Sequence, residues 1–545
     1  MPFQRAQAGR ILSPMAARRI AIIGSGFSGL CVGIQLKTAG IDSFTIFEKS
    51  DRLGGTWRDN TYPGAACDVP SFLYCFSFEQ KTDWSRMWSP QDEIRDYMEH
   101  CARKYGLDRH IRFGTEIAGA RFDAEEGVWR LRTTGGEEVV ADVLVSAVGQ
   151  LNRPAVPAIP GLDRFQGACF HSARWEHGVD LAGKRVGVIG NAASAIQLIP
   201  QIVPTVRHLS IFQRSANWML PRGDRAYTER ERRRFTRSPL LARLHRWAIW
   251  LRLELRFPIM RGNRFFAWLA RRAAEKNLWA QVADPRLRAA LTPDYPIGGK
   301  RILISDDYYP ALARDNVEVV TDGIAHLAED TVVTRDGRVH PVDALILATG
   351  FQTTAFLAPM RIVGLDGRSL EAEWADGARA YRGIAVSGFP NLFLMYGPNT
   401  NLGHNSIIFM IECQTRYILG AIRTLIERDL AWLDLSRAVM DEDDARVQAE
   451  LAGTVWAATG KSWYKTEQGR ITNNWSGSTA RYWWITRRFD GERYRARARA
   501  REAHPATAPA NTLDARPAPE AAGFGRLKII ERRPGTSTGR PAPGC

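Results

Sequence analysis

Paired cysteines are missing from this sequence. Its seven cysteines, Cys31, Cys67, Cys75, Cys101, Cys169, Cys413 and Cys545, are scattered, odd in number and never spaced C-x-x-C. That pattern argues against a disulfide framework and against a dithiol redox centre, so a reducing, cytoplasmic setting is expected. No run of eighteen apolar residues occurs, so no membrane-spanning helix is read. The first fourteen residues carry Arg5 and Arg10 but lack the apolar core, roughly 7 to 15 residues, of a secretory signal. Met15 stands just before the first apolar β-run as the expected natural start, and residues 1–17 are expected to be a disordered leader. No metal site is expected.

Acidic residues are the scarcer charge, 58 against 74 basic, for a net +16 over 545 residues. The imbalance is local: Arg222 to Lys276 holds 16 basic and 5 acidic residues. The same stretch carries Trp247, Trp250, Leu251, Leu255, Phe265, Phe266 and Trp268 at spacings of three and four. This predicts amphipathic helices over about 222–290 with arginines on the wet face. The basic surplus therefore reads as a solvated helical insertion, with no nucleic-acid partner expected. A peripheral membrane contact through residues 222–276 is the alternative, since arginine with tryptophan is the composition of interfacial helices.

Two segments have the pattern of nucleotide-binding units. RRIAIIGSGFSGLCVGIQL runs from an apolar strand through Gly24-x-Gly26-x-x-Gly29 into a helical pattern, and FTIFEKS ends a second strand at Glu48, nineteen residues after Gly29. In such a βαβ unit Gly24 makes the tight turn and Gly26 lets a pyrophosphate approach the backbone. Gly29 allows close helix packing, and Glu48 accepts from a ribose. KRVGVIGNAASAIQLIP repeats the pattern with Gly190, but Ala192 and Ala195 replace the later glycines; Gln197 is expected, with these three, among the residues that bind the nucleotide. Ala192 puts a methyl where a phosphate approaches, which predicts weaker binding. Where an acid is usual after the second strand stand Arg214 and Ser215, and an arginine there selects a 2′-phosphate. Two such sites imply FAD and NADPH, hydride passing from one to the other. DVLVSAVGQL and DALILATGFQ are strands expected to close the two sheets.

The fold class predicted is α/β, with two Rossmann-like dinucleotide-binding domains and an inserted helical segment. The expected order is an FAD domain over 18–152, an NADPH domain over 153–345, a return to the FAD domain over 346–499, and a disordered tail over 500–545. That tail is rich in Ala, Pro, Arg, Gly and Thr without periodicity.

Four further stretches make a resemblance specific: GGTWRDNTYPGAACD (Gly54 to Asp68), FQGACFHSARW, KRILISDDYY (Lys300 to Tyr309) and GFPNLFLMYGPNTNLGH (Gly388 to His404). Together they resemble the flavoprotein Baeyer-Villiger monooxygenases, in family order across about residues 18–495. The spacing F-x-G-x-x-x-H-x-x-x-W, here Phe165, Gly167, His171 and Trp175, is that family's fingerprint; related N- and S-oxygenating enzymes usually carry Tyr or Phe at Trp175. Glu176 departs from the usual Pro or Asp.

The resemblance implies ketone oxidation to esters or lactones by NADPH and O2 through a C4a-peroxyflavin, with heteroatom oxidation as a variant. A weakly active flavoprotein with a membrane-surface or nucleic-acid role is the second class. Arg301 matches the family's catalytic arginine, Asp68 its orienting aspartate, and Lys300 a partner of Arg214 on the 2′-phosphate. His171 is implied to couple NADPH binding to domain movement. Gly55, Thr56, Trp57 and Tyr74 are implied flavin-side contacts. SWYKTEQGR (Ser462 to Arg470) resembles a mobile loop over the active site, with Lys461 and Ser476 departing from the pattern.

Overall fold

The computed structural model describes residues 18–460 and 462–499; the expected leader over 1–17, Lys461 and the expected tail over 500–545 lie outside the described residues. Two parallel five-stranded sheets organise the chain. The first has strands Leu392–Leu394, Val143–Ser146, Ile20–Ile23, Phe44–Phe47 and Ile111–Arg112 in that order. The second has Val317–Val320, His208–Phe212, Arg185–Ile189, Ala344–Leu347 and Ala168–His171. Parallel neighbours need crossovers, and the helices Phe27–Thr38 and Ala193–Ile202 supply the first in each sheet. Central strands such as IAII and ALIL are apolar throughout, and VLVS is apolar but for its last residue, because both faces are buried.

The α/β class matches the sequence prediction. The strands expected to close the sheets, Val143–Ser146 and Ala344–Leu347, instead lie one in from an edge. Each is flanked by a strand from far along the chain, Leu392–Leu394 in one sheet and Ala168–His171 in the other. Parallel pairing needs only a free edge, which local pattern does not reveal.

The two sheets share two devices. Arg19 at the head of one strand donates through its backbone N to Asp142 Oδ2 at 2.7 Å, and Arg185 does the same to Asp343 Oδ2 at 2.7 Å. Each first turn is a glycine with positive φ, +102° at Gly24 and +107° at Gly190. A Cβ there would lie 2.7 Å from Ala147 O and 2.4 Å from Ala348 O, so glycine is required at both. The chain crosses between the sheets twice, and the two crossings pair: Ala155 N donates to Gly350 O at 2.8 Å and Gln352 N to Arg153 O at 2.9 Å.

Between the strands His208–Phe212 and Val317–Val320 of the second sheet lie the helices Glu229–Arg237, Pro239–Glu254, Phe257–Met260, Arg264–Gln281 and Pro285–Ala290. Here the structure corrects the sequence reading. Trp247, Leu251, Leu255, Phe265, Phe266 and Trp268 face solvent; Trp247 is 51% and Phe265 62% exposed. Of the seven apolar residues only Trp250 is half-buried, donating to Thr479 Oγ1 at 3.0 Å. Arg246, expected in water, is buried and donates to Phe72 O at 2.7 Å. The helix Pro239–Glu254 carries two apolar stripes, and it packs through Ala242, Ile249 and Leu253. Arg246 shares that face because its guanidinium satisfies a carbonyl of the Ser71–Leu73 turn, a contact that periodicity does not encode.

Candidate functional site

Both sheets open at their strand carboxyl ends into one cavity of about 1430 Å³, the place where open α/β sheets bind ligands. On the first side, helix Phe27–Thr38 begins at Gly26 with no side-chain cap, leaving its first N–H groups free for an anion. A Cβ on Gly26 would meet only Gly55 Cα, at 3.9 Å, so the glycine leaves room for something other than protein. At Gly29 a Cβ would fall 1.9 Å from Gly24 O, which makes that glycine a packing requirement. Glu48 Oε2 accepts from Ser25 N at 3.0 Å and Ser25 Oγ at 2.6 Å, while Oε1 accepts from Ser50 N at 3.1 Å and pairs with Arg58 at 2.9 Å. Burial opposes ionisation of Glu48, but the Ser25 bonds and Arg58 outweigh it and lower its pKa. Arg58 was not legible as a site residue in the sequence, since no spacing rule connects it to Glu48.

Gly54 and Gly55, with φ +126° and +52°, lead into the short helix Thr56–Asp59 at the cavity wall. Trp57 Nε1 donates to Tyr74 OH at 3.1 Å, and the rings meet edge-on at 5.5 Å.

On the second side, helix Ala193–Ile202 starts at Ala192, again without a side-chain cap. Ala192 has φ −89° and ψ −158°, close to the −75° and −171° of Gly26, so no strain demands glycine there. Its methyl is exposed to the cavity, whereas the Ala195 methyl is buried in the core of the second sheet. Lys300 Nζ donates to Ser215 Oγ at 2.7 Å and sits 4.5 Å from the Tyr295 ring centre. Burial lowers the Lys300 pKa, Asp294 opposes this, and Arg214 adds to it. Arg214, Ser215 and Lys300 thus meet on one stretch of wall. Gln197 lines the same cavity, but its amide is engaged with Tyr62 and Ala66.

Between the two halves, Arg301 Nε donates to Asp68 Oδ2 at 2.8 Å, and Nη2 lies 2.5 Å from the same oxygen. Asp68 holds the guanidinium in its charged form and raises its pKa. The side chains are 29% and 34% exposed, enough to present one edge of the pair to a ligand. Two phenols absent from the sequence-read set surround the pair. Burial raises the Tyr464 pKa to about 12 and that of Tyr396 further, while Arg301 pulls both down. Tyr396 takes φ +55° and donates to Asn401 Oδ1 at 2.6 Å. Ser462 and Trp463 line the cavity, and Thr353 Oγ1 on the second crossing donates to Trp463 O at 2.8 Å. Ser476, one of the departures, donates to Glu450 Oε2 at 2.6 Å.

The fingerprint residues lie at the crossings. Gly167 is required because a Cβ would fall 2.5 Å from Asp343 O and 2.7 Å from the Phe165 ring. Trp175 packs edge-on against Phe170 at 5.1 Å. His171 ends the Ala168–His171 strand, its ring 5.8 Å from that of Phe351. Its Nδ1 accepts from Ala173 N at 3.1 Å, which puts the proton of the neutral ring on Nε2. Burial lowers the His171 pKa, with Gly350 opposing, and Nε2 is buried without a hydrogen-bond partner among the described residues.

Comparison with known proteins agrees with this geometry. The family described as flavin-binding monooxygenase-like matches residues 17–360. A Baeyer-Villiger monooxygenase of Pseudomonas aeruginosa is 44% identical over 88% of this chain and 92% of its own. One from Streptomyces coelicolor is 45% identical over 87% and 92%. Among solved structures, an oxidized steroid monooxygenase bound to NADP superposes with a TM-score of 0.79 at 31% identity, covering 88% of this chain and 99% of that one. With two nucleotide-type turns facing one cavity and an arginine–aspartate pair between them, the chain belongs to the flavin-binding monooxygenase-like family, among its Baeyer-Villiger monooxygenases.

Proposed function

We propose that this protein is an NADPH- and O2-dependent flavin monooxygenase that converts a ketone into an ester or lactone. One oxygen atom of O2 enters between the carbonyl carbon and its neighbour, the other leaves as water with the hydride of NADPH and one solvent proton, and NADPH becomes NADP+. The observation that carries this reading is the Arg301–Asp68 pair, about a third exposed in the cavity that both nucleotide-type turns share.

The wall fits two dinucleotides. Each turn presents an uncapped helix N-terminus, and only glycine fits at Gly24 and Gly190. FAD is assigned to the domain formed by 18–152 and 346–499, with Gly24, Gly26 and Gly29 at its pyrophosphate turn and Gly55, Thr56, Trp57 and Tyr74 on the flavin side. Glu48 takes the ribose by sharing its Ser25 and Arg58 partners. NADPH is assigned to 153–345, its 2′-phosphate to Arg214, Ser215 and Lys300. Bound flavin, reduced by NADPH, supplies the activated oxygen. Arg301 stabilises negative charge as it develops on the substrate carbonyl oxygen, and Asp68 fixes the direction of the guanidinium fork. His171, at the paired crossings, adjusts one domain against the other when the nucleotide binds.

The test is to incubate the purified yellow protein with NADPH, O2 and a panel of cyclic, linear and aryl ketones beside sulfides and amines. Ester or lactone with incorporated ¹⁸O is expected; sulfoxide or N-oxide with no ester would replace ketone chemistry by heteroatom oxidation.

A second reading places residues 222–276 against an anionic membrane surface. Leu240, Leu244, Trp247, Leu251 and Leu255 form an exposed stripe along one helix. Arg243, Arg252, Arg261 and Arg264 nearby are exposed. Lipid phosphate complements that charge, whereas a second copy would bring like charge against it. Pelleting with anionic but not neutral vesicles, weakened by salt, is expected; no pelleting, or preferential binding to DNA, would refute it.

A further inference from the structure

We propose that Gln197 is a positioning residue that links the nucleotide-side helix to the Arg301–Asp68 pair, in place of the cofactor contact that its sequence position implies. The inference rests on the reading of Arg301 given above. Gln197 projects from the first turns of helix Ala193–Ile202, the helix whose uncapped start faces the second nucleotide site. Its Oε1 accepts from Tyr62 OH at 2.9 Å and from Ala66 N at 3.4 Å, and its Nε2 donates to Ala66 O at 3.0 Å. Both ends of the amide are thereby used on a single segment, Tyr62 to Ala66, that belongs in sequence to the first nucleotide unit.

The segment is built to be held there. Gly64 has φ +79°, and a Cβ on it would lie 2.6 Å from Gln197 O and 2.8 Å from Gln201 Cγ, so only glycine lets the two backbones approach. Tyr62 and Ala65 are buried in the hydrophobic core of the second sheet. One residue beyond Ala66, Cys67 O accepts from Arg222 Nη2 at 3.2 Å. The next residue is Asp68, which holds Arg301. A shift of the helix when its N-terminus takes up a pyrophosphate therefore passes through one amide and two residues of backbone to the carboxylate that aims the arginine. Both acceptor positions of the amide oxygen and one of its two N–H donors are taken by the Tyr62–Ala66 segment, which leaves a single N–H for a nucleotide, whereas the same bonds suit the side chain to transmit position.

The experiment uses the FAD-loaded enzyme and the variants Gln197→Leu, Gln197→Glu and Tyr62→Phe, with Arg301→Ala as reference. Ester and hydrogen peroxide per NADPH, the KM for NADPH, and amide hydrogen exchange over residues 62–68 with and without NADP+ are measured. Gln197→Leu is expected to lower ester per NADPH about tenfold, the scale of one or two lost hydrogen bonds, and to leave KM for NADPH within about twofold. In it NADP+ no longer slows exchange over 62–68 as it does in the parent. Gln197→Glu keeps the acceptor for Tyr62 but faces Ala66 O with an oxygen, so it is expected to uncouple as well. A raised KM with parental coupling would make Gln197 a cofactor ligand and overturn the inference, and so would unchanged exchange behaviour. Should Gln197→Leu fail to hold FAD, Tyr62→Phe, which removes one hydroxyl, must uncouple in the same direction; parental coupling there also overturns it. Full coupling in Arg301→Ala sinks the reading of the ion pair, whereas uncoupling there with full coupling in Gln197→Leu sinks only the part given to Gln197.

Discussion

Replacing Arg301 by alanine removes the cation that Asp68 fixes between the two nucleotide sites. Two of its nitrogens rest on a single oxygen of Asp68, at 2.8 and 2.5 Å, with both side chains about a third exposed. A pair that open to water contributes within about 1 kcal/mol to folding, so the variant should fold and hold FAD. The catalytic loss is larger, because a preorganised donor aimed at developing charge is worth on the order of 3 kcal/mol, roughly a hundredfold in rate. The assay is ester formed and hydrogen peroxide released per NADPH consumed, at saturating ketone. Ester should fall at least a hundredfold while NADPH oxidation continues and ends in peroxide. Arg301→Lys keeps charge without the fork and should recover only part of the coupling. A folded Arg301→Ala enzyme that makes ester at the parental ratio would remove the arginine from the chemistry and refute the reasoning.

Lys300→Ala should raise KM for NADPH by roughly tenfold and leave KM for NADH nearly unchanged, because it deletes a charge-assisted contact to a group that NADH lacks; equal effects on both would refute the 2′-phosphate assignment. Ala192→Gly should tighten NADP+ binding, measured by titration, since it removes the methyl exposed to the cavity; unchanged or weaker binding would show that the phosphate takes another path. Gly190→Ala should abolish NADPH binding or folding, since its Cβ would lie 2.4 Å from Ala348 O. Glu254 gives a pH test: burial opposes its ionisation, but His404, Thr479 and Asn405 outweigh this and hold its pKa at about 2, against an ordinary 4.5. Its folded pKa is depressed, so its stabilisation is present above about pH 4.5 and is lost as pH falls toward 2. In urea unfolding, Glu254→Gln should be less stable than the parent by up to about 3 kcal/mol at pH 7, with the gap narrowing below pH 4.5; a gap independent of pH would assign the loss to packing.

Local pattern was enough to read the two βαβ units, because a tight glycine turn and an apolar strand are local requirements of backbone geometry. Gly24 and Gly190 could be read as turn glycines from spacing alone, and the carbonyls of Ala147 and Ala348 supply the reason. Tertiary structure decided what depends on contacts between distant segments. Leu392–Leu394 and Ala168–His171 join their sheets at edges that no local pattern marks. The helix Pro239–Glu254 offers two apolar stripes of similar spacing, and the face packed against the Ser71–Leu73 turn, with Arg246 buried in it, was selected by a hydrogen bond to Phe72 O. Arg58 beside Glu48, Tyr464 near Arg301 and the two-ended amide of Gln197 are likewise products of the fold. Spacing along a chain reports which face of an element a residue occupies, whereas hydrogen-bond partners are set by which elements meet.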